Sequence, residues 1–171
     1  MTQIVLATLN ARYTHSSFGL RYLLANMGPL QSDTSMLEFV INDITVDMLA
    51  AILERDPKIV GLGVYIWNVE PMTRLVADLK RVRPEILIVL GGPEVSYEAD
   101  GQPIVELADY VISGEADCAF RELCSKLLNG ETCKEKMIQA AVPTFDQISL
   151  PYDFYDDADV ANRVIYVEVS R

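Results

Sequence analysis

The chain has a single histidine, and it stands in the run Asn10-Ala11-Arg12-Tyr13-Thr14-His15-Ser16-Ser17-Phe18-Gly19. An imidazole can coordinate a metal or hydrogen-bond a ligand near neutral pH, and it can equally be an exposed capping side chain. Three other short runs carry residue types suited to a ligand. Tyr65-Ile66-Trp67-Asn68 offers a partly aromatic shelf, able to floor a flat molecule or to pack under a lid. Gly91-Gly92-Pro93-Glu94 drops two Cβ atoms in succession, which admits a bulky ligand against the backbone or makes a plain tight turn. Ser113-Gly114-Glu115 stands just before a helical pattern. Free N–H groups there attract polar or anionic atoms, or a cap and a first-turn glutamate simply complete the helix.

Each of these runs follows a segment with the character of a strand. Gln3-Ile4-Val5-Leu6-Ala7-Thr8 precedes the first, and Lys58-Ile59-Val60-Gly61-Leu62-Gly63-Val64 the second. Ile86-Leu87-Ile88-Val89-Leu90 precedes the third, and Tyr110-Val111-Ile112 the fourth. Short, continuously apolar, β-branched runs describe parallel strands buried on both faces. A further strand, Ser35-Met36-Leu37-Glu38-Phe39-Val40-Ile41, alternates enough to lie nearer an edge. Helical patterns fill the intervals at about 18–27, 46–55, 70–83, 98–107 and 117–128. Gly28-Pro29, Asp56-Pro57, Arg83-Pro84 and Asn129-Gly130 supply stop signals, and Asn42-Asp43-Ile44-Thr45 supplies capping side chains. Five strands alternating with five helices predict a three-layer α/β/α sandwich, Rossmann- or flavodoxin-like, with a parallel sheet. All four candidate runs then fall on the carboxyl edge of that sheet, where open α/β folds bind their ligands.

Bulk properties narrow the classes. A length of 171 residues suits about one domain. A net charge of −11 disfavours an electropositive nucleic-acid footprint and adhesion to anionic membranes. No apolar run approaches the roughly 18 to 20 residues of a membrane span, and no export signal opens the chain, so a cytoplasmic location is expected. Cys118, Cys124 and Cys133 have neither CxxC nor zinc-ribbon spacing and read as small apolar packers plus one loop thiol.

Several ligand classes lack their motifs. No GxGxxG follows the first strand, no Walker lysine is present, and Tyr65 stands where a phospho-receiver needs a carboxylate. The Thr- and Gly-rich phosphate loop of flavodoxins is only faintly echoed by Thr8 and Thr14, and no Ser-His-Asp or paired-carboxylate arrangement stands out. A large, flat, neutral ligand suits the residues better than one dominated by phosphate. A free-standing flavodoxin-like domain for flavin binding or signalling is the competing reading. The segment 131–159 is rich in Pro, Asp and Tyr and reads as a linker. Arg163-Val164-Ile165-Tyr166-Val167-Glu168-Val169 then reads as a lone strand whose continuation is missing.

The motifs in order resemble the N-terminal cobalamin-binding domain of cobalamin-dependent radical S-adenosylmethionine enzymes. The residues that carry the likeness are His15-Ser16-Ser17-Phe18-Gly19-Leu20-Arg21-Tyr22-Leu23, Gly61-Leu62-Gly63-Val64-Tyr65, Leu90-Gly91-Gly92-Pro93-Glu94 and Tyr110-Val111-Ile112-Ser113-Gly114-Glu115-Ala116, over about residues 1–130. Leu150-Pro151-Tyr152 and Tyr166-Val167-Glu168-Val169-Ser170-Arg171 are similar to the approach to the radical domain. The resemblance implies that 1–130 bind cobalamin and that 131–171 lead to a missing C-terminal radical domain of the same chain, acting on a small or unknown substrate. It gathers the corrin at Asn10, Arg12, Tyr13, His15, Ser16, Gly19, Tyr65, Ile66, Trp67, Asn68, Gly91, Gly92, Pro93, Glu94, Ser113, Gly114 and Glu115, with the nucleotide tail entering near Gly91 and Gly92. The CxxxCxxC motif of the family is absent from these 171 residues, so the 4Fe-4S cluster and S-adenosylmethionine are expected on the parent protein and not here. Histidine-ligating cobalamin domains carry DxHxxG. Here Tyr13 takes the Asp position and Gly19 lies four residues beyond His15, which implies a cobalamin with no protein histidine on the metal.

Overall fold

The computed structural model describes residues 2–97 and 99–168. Its centre is a six-stranded, wholly parallel sheet in the order β2-β1-β3-β4-β5-β6. The strands are β1 (Ile4–Asn10), β2 (Thr34–Val40), β3 (Ile59–Gly63), β4 (Leu87–Gly91), β5 (Tyr110–Ser113) and β6 (Met137–Gln139). Between them run α1 (Phe18–Ala25), α2 (Thr45–Leu53), α3 (Val69–Val82), α4 (Pro93–Tyr97), α5 (Pro103–Leu107) and α6 (Ala116–Leu128), followed by α7 (Asp157–Asn162).

Period-two alternation explains the two cores. In β1, Ile4 and Leu6 face a layer with Leu20 of α1 and Phe120, Leu123 and Cys124 of α6. Val5, Ala7 and Leu9 face the opposite layer, with Met48 and Ile52 of α2, four residues of α3, and Ile104 of α5. A strand buried on both faces needs apolar side chains at every position, and β1 is buried throughout. β2 is only half-buried along its length, in keeping with its place at the edge.

Two local details differ from the sequence expectation, and the expected stop at Asp56-Pro57 is met. The helix expected near 98–107 is two short helices, α4 directly after Gly92 and α5 opened by Pro103. Asp43 does not cap α2. Its carboxylate accepts the Val40 amide at 2.8 Å and closes the loop, and Ile44 stands at the cap position. Asp56 ends α2 in the left-handed region, φ 48°, with Pro57 behind it.

The tail differs more. Residues expected as a linker supply β6, which pairs parallel to β5 from Val111↔Met137 to Ser113↔Gln139. The strand expected from Arg163 is not formed. Val164 makes one isolated parallel bridge to His15, and residues 165–168 lie outside any named strand; Val169 falls outside the described residues. The aromatic alternation that suggested a strand is met otherwise, by Tyr166 tilted on Phe18 and ring-stacked near His15.

What holds this tail in place is charge. Arg21 of α1 is 1% exposed. Its guanidinium meets Glu38 of β2 at 2.8 Å and Asp159 of α7 at 2.6 Å, and Arg163 closes the ring to the same two carboxylates at 2.9 and 3.4 Å. Arg21 also donates to the Phe154 and Ser17 carbonyls and lies 4.5 Å over the Tyr155 ring. Burial works against its charge, but Glu38 and Asp159 outweigh that and raise its pKa. No helix among the described residues is long and apolar enough to cross a membrane.

Two outcomes follow. Arg21→Met leaves two buried carboxylates facing one arginine, and we expect a loss of about 3–5 kcal/mol in urea unfolding. Burial also pushes the Cys124 thiol from 9.0 up to about 12. The unfolded chain therefore sheds that proton above pH 9 while the folded chain keeps it, and stability falls as the pH rises through this window. Half-buried Tyr65 and Tyr155, whose phenols desolvation also raises, add to the loss at higher pH. Urea midpoints at neutral pH and just above pH 9 should show the decline in the wild type and a shallower one in Cys124→Ala.

Candidate functional site

Parallel strands bring four loops to one edge, and two cavities open there. The first, about 300 Å³, runs down between α1 and α6 against the sheet. Leu20, Tyr22 and Leu23 form one wall and Phe120 the other, over a floor of Gly61, Val89 and Ile112. Gly61 matters to that floor, because a Cβ built on it would lie 2.7 Å from the Phe120 ring. Glycine inside a strand marks such a close approach. The mouth is ringed by Gly19, Gly91, Gly92 and Gly114, with carboxylates of Glu115, Asp117 and Glu168 among the lining groups.

The second cavity, about 330 Å³, lies over the first loop. Asn10, His15 and Ser16 line one side, Tyr65 and Trp67 another, and Tyr166 closes it. Phe18, Gly19 and Tyr65 line both spaces. The Tyr65 and Trp67 rings stack at 4.6 Å and 7°. The indole Nε1 donates to the Leu9 carbonyl at 3.1 Å, which fixes the shelf to the end of β1. Burial raises the Tyr65 phenol above its ordinary pKa, so it stays a neutral hydroxyl at the junction.

The expected site residues divide by what their polar atoms do. His15, Gly19, Tyr65, Trp67, Gly91, Gly92, Gly114 and Glu115 line the cavities. Asn10 lines the second cavity, but its amide nitrogen is committed to the His15 carbonyl at 2.9 Å and to Glu38 at 3.0 Å. Ser16 donates to the Val164 carbonyl at 2.8 Å. Asn68 is fully buried and staples the loop after β3, accepting the Tyr65 amide and donating to the Leu9 and Gly63 carbonyls. Ser113 donates to the Ser96 carbonyl, and Glu94 receives Gln102. Arg12, Tyr13, Ile66 and Pro93 stand exposed at the rim, Ile66 at 77% and Tyr13 at 59% with Arg163 over its ring. His15 Nδ1 pairs with the Tyr166 hydroxyl at 2.5 Å.

Gly91 and Gly92 have different jobs. Gly92 has φ +105°, and a Cβ there would collide with the Val64 carbonyl oxygen and lie 2.9 Å from the Val64 nitrogen. It is needed to close the turn, whatever binds. Gly91 has no such neighbour, its nearest being the Ile112 carbonyl at 3.9 Å, and so its bareness serves the cavity.

Tyr22, Phe120, Asp117, Tyr166 and Glu168 were not among the expected site residues. Tyr22 and Phe120 belong to helix-period apolar faces, and the composition of the tail points to a linker and a strand leading away from the sheet. Among the described residues no group of His, Cys, Asp and Glu is placed to hold a metal ion.

A match to the B12 binding domain covers residues 4–124. The Pyrococcus horikoshii protein named uncharacterized methyltransferase PH0819 is 27% identical over 123 residues, covering 71% of this chain and 27% of that protein. The cobalamin-dependent radical SAM methyltransferase TokK of Streptomyces tokunonensis is 31% identical over 78 residues, 43% of this chain and 11% of its own length. The chain thus spans about a quarter or less of these relatives. The radical S-adenosylmethionine methyltransferase TsrM of Kitasatospora setae superposes with a TM-score of 0.58 at 16% identity, over 77% of this chain and 27% of that one, a likeness of fold. With well over half of its residues inside the match, the chain belongs to the B12-binding domain family.

Proposed function

We propose that this chain is the corrinoid-holding module of a radical S-adenosylmethionine methyltransferase or a related radical enzyme. What carries the reading is the slot between α1 and α6, apolar in its walls and floored by bare glycine, opening at Gly91 beside the aromatic shelf. A flat, amide-rich, uncharged ring suits the shelf and rim, and its nucleotide tail suits the slot. The rim carboxylates can accept N–H and O–H groups of such a ligand. Corrinoids supply methyl-transfer or radical chemistry when bound. The chain's own residues bind, orient and exclude water: Trp67 and Tyr65 underlie the ring, and Phe120 and Leu20 shield the tail. The departure from DxHxxG, with Tyr13 at the Asp position and Gly19 four residues beyond His15, supports a corrinoid without a protein histidine on cobalt.

The relatives' names support a neighbouring catalytic domain, which would carry the 4Fe-4S cluster and S-adenosylmethionine and meet the exposed rim of Ile66, Trp67 and Tyr13. The substrate would belong to that domain.

Titration of the chain with hydroxocobalamin and methylcobalamin, with riboflavin phosphate as control, should give saturable spectral change with the corrinoids alone. The spectrum is expected to be unchanged in His15→Ala, and loss of a histidine-ligated signature in that variant would refute a histidine-free cobalt. Gly91→Val should keep the fold and weaken corrinoid affinity at least about tenfold by filling the slot mouth. Gly92→Ala should instead lower the melting temperature, as strain at a positive φ costs about 1–3 kcal/mol.

A further inference from the structure

The family match ends at residue 124, yet the last described residues of the chain return to both cavities. Tyr166 lines the space over the first loop and Glu168 the slot between α1 and α6. Neither approach is a loose drape. Val164 bridges to His15 in parallel register, and Ser16 donates to its carbonyl. Tyr152 accepts the Glu168 amide at 3.1 Å, and the Tyr22 hydroxyl donates to the Glu168 carboxylate at 2.5 Å. Upstream, the Arg21–Glu38–Asp159–Arg163 ring pins α7. The strap is thereby positioned on the same helix, α1, whose first turn separates the two cavities.

We propose that residues 164–168 are a third wall of the corrinoid site, with Tyr166 closing its ring side and Glu168 gripping its tail side. The inference rests on the corrinoid reading above and assigns binding residues outside the matched domain. Glu168 lines the slot with the Tyr22 hydroxyl on one of its oxygens, and a carboxylate, with about four acceptor positions, can share several donors, so it is placed to take an O–H or N–H group of the nucleotide arm. Tyr166 has a different task. Its ring packs against Phe18 while its hydroxyl holds His15, so it sets both the width of the ring-side cavity and the orientation of the only imidazole.

The test uses the full chain and two corrinoids, hydroxocobalamin and cobinamide, the latter lacking the nucleotide. Affinities are read from visible spectra and Trp67 fluorescence for wild type, Glu168→Ala, Tyr166→Ala and Val160→Ser, an exposed position of α7 that lines neither cavity. Circular dichroism and melting confirm that each variant folds. Glu168→Ala is expected to weaken hydroxocobalamin about tenfold or more while leaving cobinamide nearly unchanged, because the lost bond is one to a charged acceptor on the tail. Tyr166→Ala is expected to weaken both, and Val160→Ser neither. Amide hydrogen exchange at 164–168 is expected to slow when hydroxocobalamin is added to the wild type. Folded Glu168→Ala and Tyr166→Ala proteins that bind both corrinoids as the wild type does would overturn the inference and leave the module's function standing. Equal weakening of both corrinoids by Glu168→Ala would overturn the tail-side role of that residue. A wild-type chain that takes up neither corrinoid would overturn the functional reading, and this inference with it.

Discussion

A guanidinium removed from water must be surrounded by charge, and Arg21 imposes that requirement on the whole molecule. It stands on α1, one turn past the loop that carries His15, and its neutralising partners come from β2 and from α7. Satisfying one buried cation therefore fixes the first helix against the edge strand and draws the C-terminal segment across both. Glu38 gains most from this arrangement. It meets two arginines and also receives the Ser17 amide and the Asn10 side chain, so the start of α1 and the end of β1 share one acceptor. The first loop, which lines the second cavity, hangs from that carboxylate.

The sheet was legible because parallel strands buried on both faces have little freedom in composition. Five of its six strands can be read from apolar runs such as Ile86-Leu87-Ile88-Val89-Leu90, whose alternate residues enter the two different cores. β6 was not legible, since a three-residue edge strand with half-exposed or exposed side chains shares the composition of the loop around it. The apparent strand from Arg163 failed for the opposite reason. Its alternation is real, but side chains such as Tyr166 alternate against an aromatic cluster and a loop instead of against a sheet. Period two reports that a segment has two faces and says nothing of what lies beside it.

For the candidate site, the sequence brings four loops to the edge where the cavities open, but does not distinguish what their polar residues bond to. Gly91 and Gly92 look equivalent on paper, yet one clears space and the other answers a backbone clash with Val64. Asn68 and Ser16 look like ligand-facing polar groups, and their hydrogen bonds go to main-chain carbonyls. Polar residues at a carboxyl edge have two employers, the ligand and the loop itself, and only the positions of neighbouring carbonyls distinguish them. Phe120, Tyr166 and Glu168 reach the cavities from elements far along the chain, so no local pattern could mark them.

The slot between α1 and α6 carries a thermodynamic consequence. A protein of this size ordinarily closes its interior to near-crystalline density, and an apolar slot of about 300 Å³ against the central sheet departs from that. Phe120 already covers Gly61, whereas the side-chain atoms missing at Gly91 are contacts the empty fold forgoes. Whatever fills the slot restores them, so occupancy and folding share one free energy and the melting point becomes a function of ligand concentration. The domain is built as an incomplete solid, and on the function proposed above the corrinoid would be the last piece of its hydrophobic core.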